Sequence, residues 1–75
     1  MRHNDDYTLY WYGKKMWARI ILTLMNSGNY RMEFYRDGRY IAQDILSWEE
    51  AQNLREELVL MGWKYERYTE SFKEP

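Results

Sequence analysis

The chain has no cysteine, one proline, one histidine and only four glycines in 75 residues. Without cysteine there is neither a disulfide framework nor a thiolate metal site to support a small fold. The single proline is Pro75, so no interior position forbids a strand ladder. His3 stands near the N-terminus, and Ser27, Ser47 and Ser71 read as turn, helix cap and tail, so no nucleophile and base pair into a catalytic arrangement. His3 with Asp5 and Asp6 falls short of the four well-spaced ligands of a structural metal site. Gly13, Gly28, Gly38 and Gly62 are each accounted for by a turn or a helix end, which leaves no phosphate-cradling loop. No run approaches the roughly 18 apolar residues of a membrane span, and MRHNDDYT lacks the apolar segment of an export signal. The expectation is a non-enzymatic, soluble, cytoplasmic protein with no cofactor, metal or evident small-molecule ligand.

Aromatic residues are what the chain has in excess: four Trp, eight Tyr and two Phe. A single domain of this size buries only about 60% of its unfolded surface, and each ring can bury roughly 150–250 Å². Large rings therefore compensate for a short chain. The net charge of −1 hides an asymmetry: residues 1–41 carry seven cations and four carboxylates, residues 42–75 four and eight. One domain spanning 1–75 is expected, with 1–6 and 69–75 as loose termini.

Residues 7–12, 16–25, 30–35 and 39–44 alternate with period 2 and read as strands. Gly13-Lys14 suits a type II′ turn that pairs Trp11 with Met16, Leu9 with Ala18 and Tyr10 with Trp17. Asn26-Ser27-Gly28 suits a three-residue loop that pairs Leu24 with Tyr30, Leu22 with Met32 and Ile20 with Phe34. Arg36-Asp37-Gly38 permits two registers. A two-residue turn sets Arg36 opposite Arg39 and Met32 opposite Gln43; a three-residue loop with a bulge sets Phe34 opposite Tyr40 and Met32 opposite Ala42. The second keeps apolar with apolar and is favoured.

The segment SWEEAQNLREELVLMG reads as a helix opened by a capping box of Ser47 and Glu50 and closed at Gly62. Ala51, Leu54, Leu58 and Met61 form one stripe. Trp63, Tyr65 and Arg67 then alternate with Lys64, Glu66 and Tyr68, which suggests a short fifth strand. The fold class is α+β: a four-stranded antiparallel meander followed by one amphipathic helix on one sheet face. The covered face takes Tyr7, Leu9, Trp11, Met16, Ala18, Ile20, Leu22, Leu24, Tyr30, Met32, Phe34, Tyr40 and Ala42.

One helix covers one face, so the other stays open. It carries Tyr10, Tyr12, Trp17, Ile21, Tyr35 and Ile41 beside Arg19, Arg31 and Arg39. Trp, Tyr and Arg are the residue types enriched at interface anchors. The reading is a protein-interaction module of adaptor or inhibitor type, binding a protein partner or a second copy through this face. The alternative is single-stranded nucleic acid, with bases stacked on the rings and phosphates on Lys14, Lys15 and the arginines. Against that alternative stands a sequence pI near 5.8.

Overall fold

The computed structural model describes residues 6–68. The chain runs β1 (Asp6–Tyr12), β2 (Trp17–Leu24), β3 (Tyr30–Arg36), β4 (Arg39–Leu46), α1 (Trp48–Leu60) and β5 (Lys64–Tyr68). All five strands form one antiparallel sheet in the order β4-β3-β2-β1-β5. This is the α+β meander with its helix, and the short fifth strand is present. Because β4 and β5 lie at opposite edges and run in the same direction, a long crossover must join them. The helix is that crossover, and its path takes it across one face. Of the termini expected to be loose, only Asp6 lies within the described residues, where it begins β1 and its Oδ1 accepts the Leu24 N–H at 3.1 Å.

The core is built where period-2 and period-3.6 patterns meet. Leu9, Ile20, Leu22 and Tyr30 from the sheet pack with Ala51 and Leu58 from the helix. Tyr7, Leu24, Met32, Phe34, Leu46, Leu54 and Trp63 close around them. Leu9 and Leu22 are completely enclosed, so each burial contributes about 1.5–3 kcal/mol relative to exposure.

Both helix ends are fixed by local chemistry. Ser47 Oγ accepts the Glu50 N–H at 3.1 Å, and Glu50 Oε1 accepts the Ser47 N–H at 2.9 Å, the reciprocal bonds of a capping box. At the other end Gly62, with φ of 105°, donates to the Val59 carbonyl, and Trp63 donates to the Leu58 carbonyl, both at 3.0 Å. These are the two bonds of a Schellman motif, which reverses the chain and lays Trp63 back on the core. That reversal corrects one expectation. Met61, expected on the core stripe, is the C-cap and is 64% exposed, while Trp63 packs against the core. Arg55 also turns inward: its guanidinium lies 4.6 Å from the Tyr7 ring centre and 5.6 Å from that of Tyr65, and its Nη2 donates to Gln52 Oε1 at 2.7 Å. The guanidinium plane covers aromatic surface at the rim of the core while keeping a polar partner.

Three hairpins were expected, and their registers fared differently. The β2–β3 hairpin has the expected pairs, Leu24 with Tyr30, Leu22 with Met32 and Ile20 with Phe34, around a loop in which Gly28 takes φ of 96°. In the β1–β2 hairpin the register differs by two residues: Trp11 faces Ala18, Leu9 faces Ile20, and Tyr12, not Tyr10, faces Trp17. The loop is Gly13 to Met16, closed by the Gly13 N–H on the Met16 carbonyl at 2.9 Å. Gly13 is not in the positive-φ region that a type II′ turn requires. It is small for another reason, since a Cβ there would stand 2.9 Å from Trp11 Nε1 and 3.1 Å from the Met16 carbonyl oxygen.

The β3–β4 hairpin overturns the favoured three-residue loop. Asp37 and Gly38 have φ of 49° and 82°, the two positive values of a type I′ turn, and Arg36 faces Arg39 directly. A bulge follows, after which Phe34 faces Ala42 and Met32 faces Asp44. The extra residue is Ile41, which has no partner across the ladder. The bulge keeps Ala42 on the helix side, whereas the two-residue turn before it pairs Tyr40 with Tyr35 on the open face and puts Arg39 on the helix side with Arg36 and Ala18. Both placements reverse the expectation.

Candidate functional site

The strand pairings align side chains in rows across the open face, because residues opposite one another in a ladder point the same way. One row crosses every strand: Lys64 on β5, Tyr10 on β1, Arg19 on β2, Tyr35 on β3 and Tyr40 on β4. Cation and ring alternate along most of it. Four inter-strand spacings of about 4.8 Å give the row a length of about 19 Å. Nearer the turns, Tyr12 and Trp17 make a second, shorter row. In the other direction lies a polar row of Glu66, Thr8, Ile21, Glu33 and Gln43. The face is therefore graded, aromatic and basic toward the turn end and partly acidic beyond it.

Contacts within the face hold the rings in place. Tyr10 and Tyr12 have ring centres 6.0 Å apart, and Tyr12 and Trp17 6.2 Å. Tyr35 and Tyr40 meet edge to face at 5.8 Å and 68°, an arrangement in which a positive ring edge meets a negative ring face. The Arg19 guanidinium lies 5.2 Å from the Tyr35 ring centre, and its buried Nε has no hydrogen-bond partner among the described residues. Arg31 Nε stands 3.9 Å from Glu33 Oε2, an ion pair too long for a hydrogen bond. The Tyr10 hydroxyl donates to Glu66 Oε1 at 2.8 Å. That hydrogen bond, chiefly, raises the Tyr10 pKa above its ordinary value of 10.0, because losing the proton would place a phenolate against a carboxylate.

At the turn end the loops lock together. Asp37 Oδ1 accepts the Trp17 N–H at 3.0 Å, and the Asp37 N–H donates to the Trp17 carbonyl at 2.8 Å. The Trp17 indole lies against Gly38, where a Cβ would come within 3.7 Å of Cζ2. The aromatic ends of the two hairpins are thus one surface.

Of the nine residues expected to form the site, Tyr10, Tyr12, Trp17, Arg19, Ile21, Arg31 and Tyr35 share the open face. Arg39 is not on it, since it faces Arg36, and Ile41 is the unpaired bulge residue, half exposed. Tyr40 and Lys64 take part in the long row and were not among the nine. Tyr40 was legible in the Asp-Gly pair, the strongest short signal for a two-residue I′ turn. Lys64 was not, because its neighbour depends on which edge β5 joins. Tyr12 is 70% and Tyr40 54% exposed, so the two rows offer rings that the protein's own described residues leave open.

A smaller apolar area lies on the opposite side of the molecule. Leu60, expected as an exposed residue opposite the core stripe, is exposed and lines a cleft of about 510 Å³ with Arg55, Glu56, Val59 and Tyr65. Comparison with family models, curated proteins and solved structures returned no match.

Proposed function

We propose that the protein is a non-enzymatic interaction module that docks a protein partner, or a second copy of itself, through the open face of its sheet. The observation that carries this reading is the row from Lys64 to Tyr40, three rings and two cations aligned across five strands with no described element over them. Rigid aromatic side chains supply contact area at little entropic cost, and β-sheet placement fixes their spacing. Thr8, Gln43 and Glu33 around them provide the polar border that interfaces carry.

The test compares wild type with Tyr12→Ala and Trp17→Ala in capture from the native source and in sedimentation. Loss of capture or of self-association, with the fold retained, supports the docking face. Unchanged behaviour of both variants would refute it. Single-stranded nucleic acid on the same rings is the second reading, favoured by the cations that flank Tyr10 in the row. Its signature is oligonucleotide affinity falling steeply with salt.

A further inference from the structure

The type I′ turn sets Arg36 and Arg39 directly opposite each other on the same face of the β3–β4 ladder. Like charges so placed repel, and a sheet ordinarily avoids the arrangement or neutralises it. Here nothing does: neither guanidinium has a hydrogen bond or an ion pair among the described residues. The turn's own carboxylate, Asp37, is engaged by the Trp17 N–H. Arg36, Asp37, Arg39 and Ile41 line an open cleft of about 620 Å³. Lys14 and Lys15, in the loop that Trp17 joins to this turn, bring the same end of the sheet to four cations against one carboxylate.

We propose that this cleft is an anion site and that its occupant is an acidic, extended segment of the protein partner. One carboxylate of that segment seats between Arg36 and Arg39, taking hydrogen bonds from both, and the neighbouring residues pass over the turn toward Tyr40 and the row on the open face. Guanidinium groups match carboxylate geometry and hold it by paired N–H donors. The like-charge pair then has its counter-ion, supplied on binding. A row of about 19 Å accommodates about six residues of extended chain. Carboxylate is favoured over a phosphate chain by the next row of the face, where Glu66 and Glu33 stand. A nucleic acid carries a phosphate on every nucleotide and would press some of them against those side chains, whereas a peptide can space its charges.

This inference rests on the docking reading above, and the experiment separates the two. A peptide of about eight residues, alternating glutamate with leucine, is titrated into labelled full-length protein and followed by anisotropy. Its glutamine counterpart and an oligothymidylate of equal length serve as the other arms. The expected result is saturable binding of the glutamate peptide that weakens with salt and exceeds the glutamine peptide. In the Arg36→Gln/Arg39→Gln double variant it should fall by about tenfold or more, the scale of lost hydrogen bonds to charged groups. The thermal midpoint of that variant should be unchanged or higher, because a repulsion has been removed. Equal affinity in wild type and double variant, or tighter binding of the oligothymidylate through the same arginines, overturns the proposal. If Tyr12→Ala or Trp17→Ala loses partner capture while the double variant keeps it, the anion site fails and the docking face stands; if Tyr12→Ala and Trp17→Ala both keep capture, the docking face fails.

Discussion

Replacing Tyr12 and replacing Leu9 should have opposite consequences, although the two residues are three apart on one strand. Leu9 is fully enclosed between β2, β5 and the helix, so Leu9→Ala removes buried methyl groups and leaves a cavity. Such changes cost about 2–5 kcal/mol. For a domain of this size each kcal/mol moves the thermal midpoint by about 4–8 °C, so even the low end lowers it by about 8 °C or more. Tyr12 is mostly in solvent and leaves no cavity. What Tyr12→Ala removes is a pair of ring contacts at 6.0 and 6.2 Å, exposed pairs of a kind that contribute roughly 0.2–1 kcal/mol each. Its midpoint should therefore fall much less than that of Leu9→Ala, while partner capture is lost. Thermal unfolding followed by circular dichroism reads the first quantity, and capture or sedimentation the second. Because Leu9→Ala can abolish folding of so small a domain, Ile20→Val gives a gentler core probe, with an expected cost of about 0.5–1.5 kcal/mol. A Tyr12→Ala variant as destabilised as Leu9→Ala would mean that the open and covered faces have been confused.

Three further outcomes follow from the geometry. Ser47→Ala breaks one half of the capping box and leaves the Glu50 N–H without its acceptor, and should cost about 0.5–2 kcal/mol in denaturant unfolding, with the slope of the transition unchanged. Gly13→Ala pushes a methyl group into Trp11 Nε1 and the Met16 carbonyl, and should cost about 1–3 kcal/mol together with a changed tryptophan emission; an unchanged spectrum and stability would show that the loop is not tight. Tyr10 ionises later than an unperturbed tyrosine because its proton is held by Glu66. Its folded-state pKa lies above the unfolded one, so its contribution is complete below the ordinary tyrosine pKa of 10.0 and is lost as the pH rises through the raised value. In wild type the Tyr10 phenolate should form above the ordinary tyrosine pKa by absorbance, and Glu66→Gln should lower that pKa.

What could be read in advance was whatever depends on near neighbours in the chain. The capping box at Ser47 and Glu50, the reversal at Gly62 and the loop from Asn26 to Gly28 each need only a few consecutive residues, and each formed as read. The faces of β1, β2 and β3 were also legible, because period-2 alternation assigns a side to every residue. The same period explains the first register error. Sliding β1 against β2 by two residues returns every side chain to its own face, so hydrophobic pattern does not distinguish Tyr10 opposite Trp17 from Tyr12 opposite Trp17. On β4 the error had a different origin. A bulge of one residue changes parity, and Arg39-Tyr40-Ile41-Ala42 has no clean alternation to reveal where the extra residue sits.

The sequence by itself determined an α+β chain with two unlike sheet faces, one helix to cover one of them, and an aromatic and arginine-bearing face left over. Short-range chemistry and side-chain period are enough for that. Only the tertiary structure decided that β5 adds to β1, which brings Lys64 beside Tyr10 and extends the row across five strands, and that the extra residue of β4 sits at Ile41, which sets Phe34 against Ala42. Those juxtapositions join residues whose separation in the chain is bridged by a helix or reset by a bulge. They follow from where the crossover lands and how a ladder absorbs an extra residue, and neither is encoded in any short stretch.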